Sequence, residues 1–280
     1  MRIGFHVSIH GSIDTSVDRA VELKCNTFQI FTRNPRQWQA TKLTIEMTKA
    51  FSKKMKTYNI DPVFVHMPYL PNLASPRHEV YKKSVKTLTS ELERCRQLGI
   101  PYLVTHLGSH LGVGMQTGFT RLINGINQAL NDTDRNVTIL LENTAGTKNS
   151  MGSTIEDIQH IIKRISDPEH IGICFDTSHA FAAGYDLRTK ENVKAIIREI
   201  DEAIGFEKLK LVHLNDSKGD LNSRIDRHEH IGMGKIGEEG FRNMLASRLG
   251  ELPLILETPR DTRRSDVGNL EKVIELAVGR

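Results

Sequence analysis

The stretch Thr138-Ile139-Leu140-Leu141-Glu142, followed by Ile155, Ile158, Ile162 and Ile165 and then by Ile171-Gly172-Ile173-Cys174-Phe175-Asp176, decides how the chain is read. Two short aliphatic runs end in a carboxylate, and a segment of helical period lies between them. The runs are apolar on both faces, as buried parallel strands are. Ser153-x-x-Glu156 ahead of the isoleucine stripe reads as a capping box. The unit is therefore strand, helix, strand.

The same rhythm extends outward in both directions. Further strands are expected over Ile3 to Val7, Thr27 to Phe31, Val63 to His66, Tyr102 to His106, Leu209 to Leu214 and Leu254 to Glu257. Between them run stripes of helical spacing: Ile13, Val17, Ala20 and Val21; Val85, Leu88, Leu92 and Cys95; Val193, Ile196, Ile197 and Ile200; Leu270, Val273, Ile274 and Ala277. About eight strand–helix units in 280 residues predict a TIM (β/α)₈ barrel of α/β class, one domain over 1–280, with the active site at the C-terminal strand ends. A doubly wound sheet is the alternative; no G-x-G-x-x-G follows the first strand, which weakens its dinucleotide-binding version.

Composition agrees. Hydrophobic residues make up 38% and charged residues 26%, which fits neither a membrane protein nor a disordered chain. No apolar run reaches a membrane span, and the first residues lack a signal-peptide core. Cys25, Cys95 and Cys174 are isolated, as expected of reduced thiols in a cytoplasmic protein. The net charge of +4 permits a polyanionic partner without requiring one.

Twelve histidines stand out, and the strand reading sorts them. His66, His106, Glu142, Asp176, His213 and Glu257 fall at or near the ends of six consecutive strands and so share one rim. Taken singly, each has an ordinary reading: a hydrogen-bonded strand-end His, or a helix cap in Glu142-Asn143-Thr144 and Asp176-Thr177-Ser178. Taken together they do not, because converging carboxylates repel one another unless a cation lies between them. Imidazoles beside them select a transition metal such as zinc over Mg²⁺ or Ca²⁺. His179 follows Asp176 by three residues, and Asp226 and His228 lie two apart in the loop after the seventh strand. Five imidazoles and four carboxylates exceed the needs of one catalytic zinc and could serve two or three ions. A multinuclear site of this kind points to phosphoester or amide hydrolysis. His6, His10 and His110 are expected near the rim behind the ligands; His78, His160 and His170 are expected at the surface.

Longer motifs carry a resemblance. Phe31-Thr32-Arg33-Asn34-Pro35-Arg36-Gln37-Trp38, His66-Met67-Pro68-Tyr69-Leu70-Pro71-Asn72-Leu73, His106-Leu107-Gly108-Ser109 and Leu141-Glu142-Asn143-Thr144-Ala145-Gly146 occur in this order. Phe175 to Ala180, His213 to Lys218, Asp226 to Gly234 and Glu257-Thr258-Pro259 complete the series. Over essentially its whole length the chain resembles endonuclease IV, the zinc-dependent apurinic/apyrimidinic endonucleases of base-excision DNA repair. The resemblance implies hydrolysis of the phosphodiester 5′ to an abasic site in double-stranded DNA, leaving a 3′-hydroxyl and a 5′-deoxyribose phosphate. It implies about three zinc ions: one on His66, His106 and Glu142, one on Glu142, Asp176, His213 and Glu257, and one on His179, Asp226 and His228. Glu142, Glu257 and Asp176 are the residues implied in catalysis. Arg36, Tyr69 and Leu70 are implied to enter the minor groove at the lesion, although core packing or a loop charge is their ordinary reading. Lys148, Lys218 and Arg260 are candidates for phosphate contacts. A monomer without an obligate protein partner is expected.

Ser178, Pro71 and Asn222 depart from the family's usual residues at those positions. None is an implied ligand, and Asn222 can keep a left-handed backbone in its loop. A sugar isomerase or epimerase on a similar barrel is the rival reading; a mononuclear enzyme would have no use for His179, Asp226 and His228. A damage-binding protein without catalysis is a second rival, disfavoured because converging carboxylates are costly to keep without a metal.

Overall fold

The computed structural model describes residues 1–134 and 136–279. Seven strands come in regular alternation with helices: β1 (Arg2–Phe5), β2 (Phe28–Ile30), β3 (Val63–His66), β4 (Tyr102–His106), β5 (Thr138–Glu142), β6 (Ile171–Asp176) and β7 (Leu209–His213). A short antiparallel hairpin of β8 (Asp216–Ser217) and β9 (His228–Glu229) interrupts the alternation, and β10 (Pro253–Leu256) completes the sheet. The eight long strands are all parallel, in the order β1-β10-β7-β6-β5-β4-β3-β2. A parallel bridge from His6 to Gln29 joins the two outer strands and closes the barrel. Closure removes the doubly wound alternative.

Helices α1 (Thr15–Glu22), α2 (Ile45–Tyr58), α3 (His78–Leu98), α4 (Met115–Asn131), α5 (Ile155–Ile162), α6 (Thr177–Ala183), α7 (Lys190–Ala203), α8 (Gly237–Leu245) and α9 (Asp266–Val278) form the outer layer. The expected stripes face inward: Val85, Leu88, Leu92 and Cys95 on α3 and Val193, Ile196, Ile197 and Ile200 on α7 are buried. Two expectations need correcting. The cap of α5 is Thr154, whose side chain accepts from the Asp157 backbone N–H at 3.1 Å. The box sits one residue later than Ser153-x-x-Glu156, because a start at Ile155 is what turns Ile155, Ile158, Ile161 and Ile162 onto the barrel. On α9, Ile274 is exposed and Leu276 is buried, a rotation of the stripe by part of a turn. Among the described residues no helix is long and apolar enough to cross a membrane.

The barrel interior explains where the polar strand ends point. Phe64, Val104, Leu140, Cys174, Leu211 and Ile255 pack together as a separate inner cluster. Side chains on a strand alternate faces, so the residue two further on points the same way. Those residues are His66, His106, Glu142, Asp176, His213 and Glu257. The apolar layer is the floor, and the next layer up is the set of strand-end His and acids. Register aligns them: His106 pairs with Glu142 and Asp176 with His213.

Candidate metal centre

Glu142, at the end of β5, is the hub. It is fully buried, and one carboxylate oxygen lies 3.1 Å from His66 Nε2 and 3.6 Å from His106 Nδ1. The other lies 3.0 Å from His213 Nδ1 and 3.6 Å from His179 Nδ1. Asp176 Oδ2 lies 3.8 Å from His213 Nδ1 and 3.6 Å from His228 Nε2. Glu257 Oε2 lies 3.5 Å from His213 Nδ1. The four imidazoles His66, His106, His179 and His228 follow one another around the rim, with ring centroids 5.1, 5.9 and 5.5 Å apart.

Three overlapping groups can each surround a cation: His66, His106 and Glu142; Glu142, Asp176, His213 and Glu257; and Asp176, His179 and His228. A further group of Glu142, Cys174 and His213 arises because Cys174 belongs to the floor directly below. Asp226 completes the third group from its open side, with Oδ1 3.0 Å from His179 Nε2. All nine expected ligands are thus brought to one place.

Asp176 does two things at once. Its Oδ1 accepts the His179 backbone N–H at 2.8 Å and caps α6, while Oδ2 faces the imidazoles. Glu142 caps no helix, since α5 begins only at Ile155.

The imidazoles are aimed by bonds from their outer nitrogens, a means of fixing both tautomer and orientation. His66 Nδ1 donates to the Met67 carbonyl at 2.6 Å, His179 Nδ1 to the Asn143 carbonyl at 3.0 Å and His228 Nδ1 to the Glu257 carbonyl at 3.0 Å. His213 Nε2 donates to Gln29 Oε1 at 2.9 Å. Each of these rings turns its remaining nitrogen toward the carboxylates. His228 Nε2 is buried there without a hydrogen-bond partner, an arrangement that suits a metal-ligating lone pair.

Amides that the strand-end reading did not single out do the supporting. Gln29 Nε2 also donates to Glu257 Oε1 at 2.9 Å, beside His6 Nδ1 at 3.2 Å from the same oxygen. Asn215 Nδ2 donates to Asp176 Oδ2 at 2.8 Å, and its Oδ1 accepts the Glu257 N–H at 2.8 Å. The Asn143 side chain pairs with the backbone of Asp176 in both directions. Gln29 had a signal in the sequence: a lone amide inside the apolar run Thr27 to Phe31. His6 stands near the rim as expected.

The charges balance internally. Burial works against ionisation of Glu142, but the surrounding imidazoles overcome it and hold the carboxyl well below its usual range. Glu257 is lowered likewise, with His213 and His6 outweighing burial. Burial also works against charge on His179, yet Asp176, Asp226 and Glu142 raise its pKa to about 10. Burial lowers His6, and the close packing around the inner side of the His106 ring lowers His106, whose outer edge is open to the cleft. The ionised carboxylates hold positive charge at the centre, as a proton on an imidazole in the metal-free chain and, once that proton leaves, as a bound cation.

The loop after β7 is anchored by Asp216. This buried carboxylate accepts from the backbone N–H groups of Ser217, Gly232, Gly234 and Ile236 at 2.8 to 3.0 Å. Gly234 is required there, because a Cβ would come within 2.5 Å of Asp216 Oδ1. Asn222 adopts the left-handed conformation expected of it, at φ 59°, and its N–H donates to the Phe181 carbonyl on α6. Asp226 is delivered over His179 by this fold-back.

A cleft of about 930 Å³ opens above the centre. His66, His106, His179, Asp226, His228 and Glu257 line its floor, and Arg36, Tyr69 and Arg260 line its walls. Tyr69 is 62% exposed and Leu70 38%, so the core-packing reading of these two fails. Tyr69 leans edge-on against Phe31 at 5.0 Å, and its N–H donates to Pro35 O at 3.0 Å. Lys148, Lys218 and Arg260 are exposed; Arg260 lines the cleft, and Lys218 lines a smaller hollow beside it with Asp226, His228 and Glu257. Of the histidines expected at the surface, His78 is exposed, whereas His160 and His170 are half-buried; the His160 ring packs 4.7 Å from Phe119.

Comparison with known proteins places this geometry. The family described as xylose isomerase-like TIM barrel matches residues 17–278. A probable endonuclease 4 of Methanoculleus marisnigri is 56% identical over 277 residues, covering 98% of each chain. The crystal structure of endonuclease IV from Thermus thermophilus superposes with a TM-score of 0.87 at 35% identity, over 99% of this chain and 98% of that one. A D-tagatose 3-epimerase-like protein shares the fold alone, with a TM-score of 0.73 at 21% identity over 98% of each chain. The chain belongs to the endonuclease IV family of xylose isomerase-like TIM barrels.

Proposed function

We propose that the chain is a zinc-dependent DNA-repair endonuclease that hydrolyses the phosphodiester 5′ to an abasic site in duplex DNA, releasing a 3′-hydroxyl and a 5′-deoxyribose phosphate. The observation that carries this reading is the convergence of five imidazoles and four carboxylates at and just beneath the floor of one open cleft. A single ion would leave most of these donors unused. The mixed N/O donor set, with no thiolate in the expected nine, suits zinc.

His66, His106 and Glu142 would hold one ion; Glu142, Asp176, His213 and Glu257 a second; His179, Asp226 and His228 a third. Bound zinc supplies Lewis acidity and a nucleophile available near neutral pH. The protein's own residues do the rest. Glu142 offers its two oxygens to different sets of imidazoles and so fixes the spacing between the first two sites. Asp176, rigidly held as the α6 cap and by Asn215, sets the position of the third relative to the second. Asp226 and His106 lie at the solvent edge, with side chains 53% and 43% exposed, and mark where the scissile phosphate enters.

Recognition falls to the walls. An abasic nucleotide has lost stacking and pairing, so it leaves the duplex at lower cost than an intact one. Tyr69 and Leu70, exposed apolar groups beside a cationic Arg36, are suited to fill the gap from the minor groove. Lys218 and Arg260 would contact phosphates, and the substrate is double-stranded DNA, bound by a monomer. The protein functions, on this reading, as a cytoplasmic enzyme of one catalytic domain.

The decisive experiment pairs metal analysis with incision of a duplex carrying one abasic site. About three zinc ions per chain and cleavage on the 5′ side support the reading. One divalent ion with no incision, and turnover of a ketose instead, would replace it with the epimerase reading.

A further inference from the structure

A second buried ionic cluster lies outside the metal centre. Glu91, in the middle of α3, is completely buried, as are Arg33 and Arg94 apart from their edges. Glu91 Oε2 accepts the Thr32 hydroxyl at 2.6 Å, and Oε1 accepts Arg33 Nε. Arg33 also donates to the Trp38 carbonyl at 3.0 Å and to Ser90 Oγ at 2.8 Å. Arg94, one turn along α3, donates to Thr32 Oγ1 at 2.6 Å, to the Thr32 carbonyl at 2.6 Å and to the Thr41 carbonyl at 2.8 Å.

These bonds all close on one segment. Residues 31–44 connect β2 to α2 without regular structure, and Asn34, Pro35 and Arg36 at its tip line the cleft wall. The cluster grips the segment's carbonyls at 32, 38 and 41, on both sides of that tip. Pro35 O in turn takes the Tyr69 N–H, so the neighbouring wall is indexed to the same loop. None of the cluster's hydrogen bonds reaches a residue of the metal centre.

Stability does not account for such a cluster, since buried ion pairs are often matched or bettered by apolar side chains of similar volume. Apolar side chains could not hold three loop carbonyls at fixed positions. A loop of this length otherwise samples many conformations, and ordering it on DNA would reduce affinity.

We infer that Glu91, acting through Arg33 and Arg94, is a positioning residue for lesion recognition: it pre-forms the wall that carries Arg36 and Tyr69 and sets affinity for damaged duplex without taking part in hydrolysis. This rests on the reading that the wall touches DNA.

The test uses the zinc-loaded full chain and Glu91→Gln, with Arg94→Lys as a second variant that keeps charge but loses the forked contact, should Glu91→Gln not fold. Amide hydrogen exchange is expected to rise across residues 32–41 and to stay unchanged in the barrel strands. KM for an abasic duplex should rise about tenfold, while kcat, and hydrolysis of the small diester bis(4-nitrophenyl) phosphate, stay within about twofold. In an Arg36→Ala background the same change should add clearly less than about tenfold, because one of the two groups being positioned is gone. Unchanged exchange, an unchanged KM, equal loss of kcat on both substrates, or an undiminished effect without Arg36 would each overturn the inference. Failure of the unaltered chain to incise would overturn the nuclease reading instead, and the exchange measurement still decides whether Glu91 holds the loop.

Discussion

Gln29 Oε1 accepts from His213 Nε2 at 2.9 Å while Gln29 Nε2 donates to Glu257 Oε1 at 2.9 Å, so one amide orients two expected ligands of the same ion. Gln29→Leu removes both bonds and leaves the His213 ring free to turn. Loss of such an outer partner typically costs ten- to a hundredfold in metal affinity or activity. We expect a loss of about that size in zinc affinity, read by competition with a chromophoric chelator, with the barrel's far-ultraviolet circular dichroism retained. Unchanged affinity would remove Gln29 from the centre.

Glu142→Gln should be the most damaging single change at the centre. The hub carboxylate faces four imidazoles, and an amide would take away the negative charge that offsets a cation held among them. Incision should fall by at least about a thousandfold, and bound zinc should drop by more than one ion per chain. Glu257→Gln should retain more metal than Glu142→Gln, because Glu257 faces one imidazole of the set closely and lies partly open to the cleft. A Glu257→Gln variant with unaltered incision would exclude the role assigned to that carboxylate.

Metal loading should release protons. Burial disfavours charge on His179, but Asp176, Asp226 and Glu142 raise its pKa to about 10, so the metal-free protein carries that proton at pH 7. A ligating imidazole must be neutral. Zinc affinity should therefore climb with pH between about 6 and 8, by up to tenfold per unit for this one proton. For the metal-free chain the direction reverses: a raised histidine adds stability that is complete below its unfolded value of about 6.5 and is lost as pH rises through about 10. Calorimetric titrations in buffers of different ionisation enthalpy measure the first effect, and thermal unfolding of the chelator-treated chain the second. A zinc affinity flat across this range would contradict the protonated state of His179.

Tyr69 in the cleft wall and the exposed Leu70 next to it should govern affinity for damage and leave the chemistry alone. Tyr69→Ala and Leu70→Ala are each expected to weaken binding of an abasic duplex by about five- to tenfold, with little effect on intact duplex. Fluorescence anisotropy with the two duplexes reads the ratio. Equal weakening on both would place Tyr69 and Leu70 in general DNA contact, away from the lesion.

Binding should also fall steeply with salt, since Lys218, Arg260 and their neighbours on the rim would displace counterions from phosphates. Replacing Lys218 with Ala should flatten the slope of log affinity against log salt by about one, uniformly across sequences. A slope near zero for the unaltered chain would argue against a DNA substrate.

Much of the fold and of the centre was legible in the sequence because both depend on local period. Short runs apolar on both faces mark parallel strands, and a ligand two residues beyond an inward apolar side chain must point inward one layer higher. Phe64 and His66, Leu140 and Glu142, and Cys174 and Asp176 each follow that rule, and the six strand-end ligands meet accordingly. The longer motifs added Arg36, Tyr69 and Leu70, whose local sequence is equally compatible with a core.

Tertiary structure alone decided the rest. His213 and Gln29 are 184 positions apart, His66 and Glu142 are 76 apart, and Arg33 and Glu91 are 58 apart. Strand periodicity says which face a side chain takes, but the partner across a closed barrel is set by register and closure, which no single segment contains. The same holds for exposure. Tyr69 stands in the cleft wall because the loop after β2, held by Arg33, Glu91 and Arg94, brings the Pro35 carbonyl to its N–H, and Leu70 follows it at the exposed surface. Local period dictates which side chains reach the rim; register and closure of the barrel dictate which partners aim them and which loop walls the cleft.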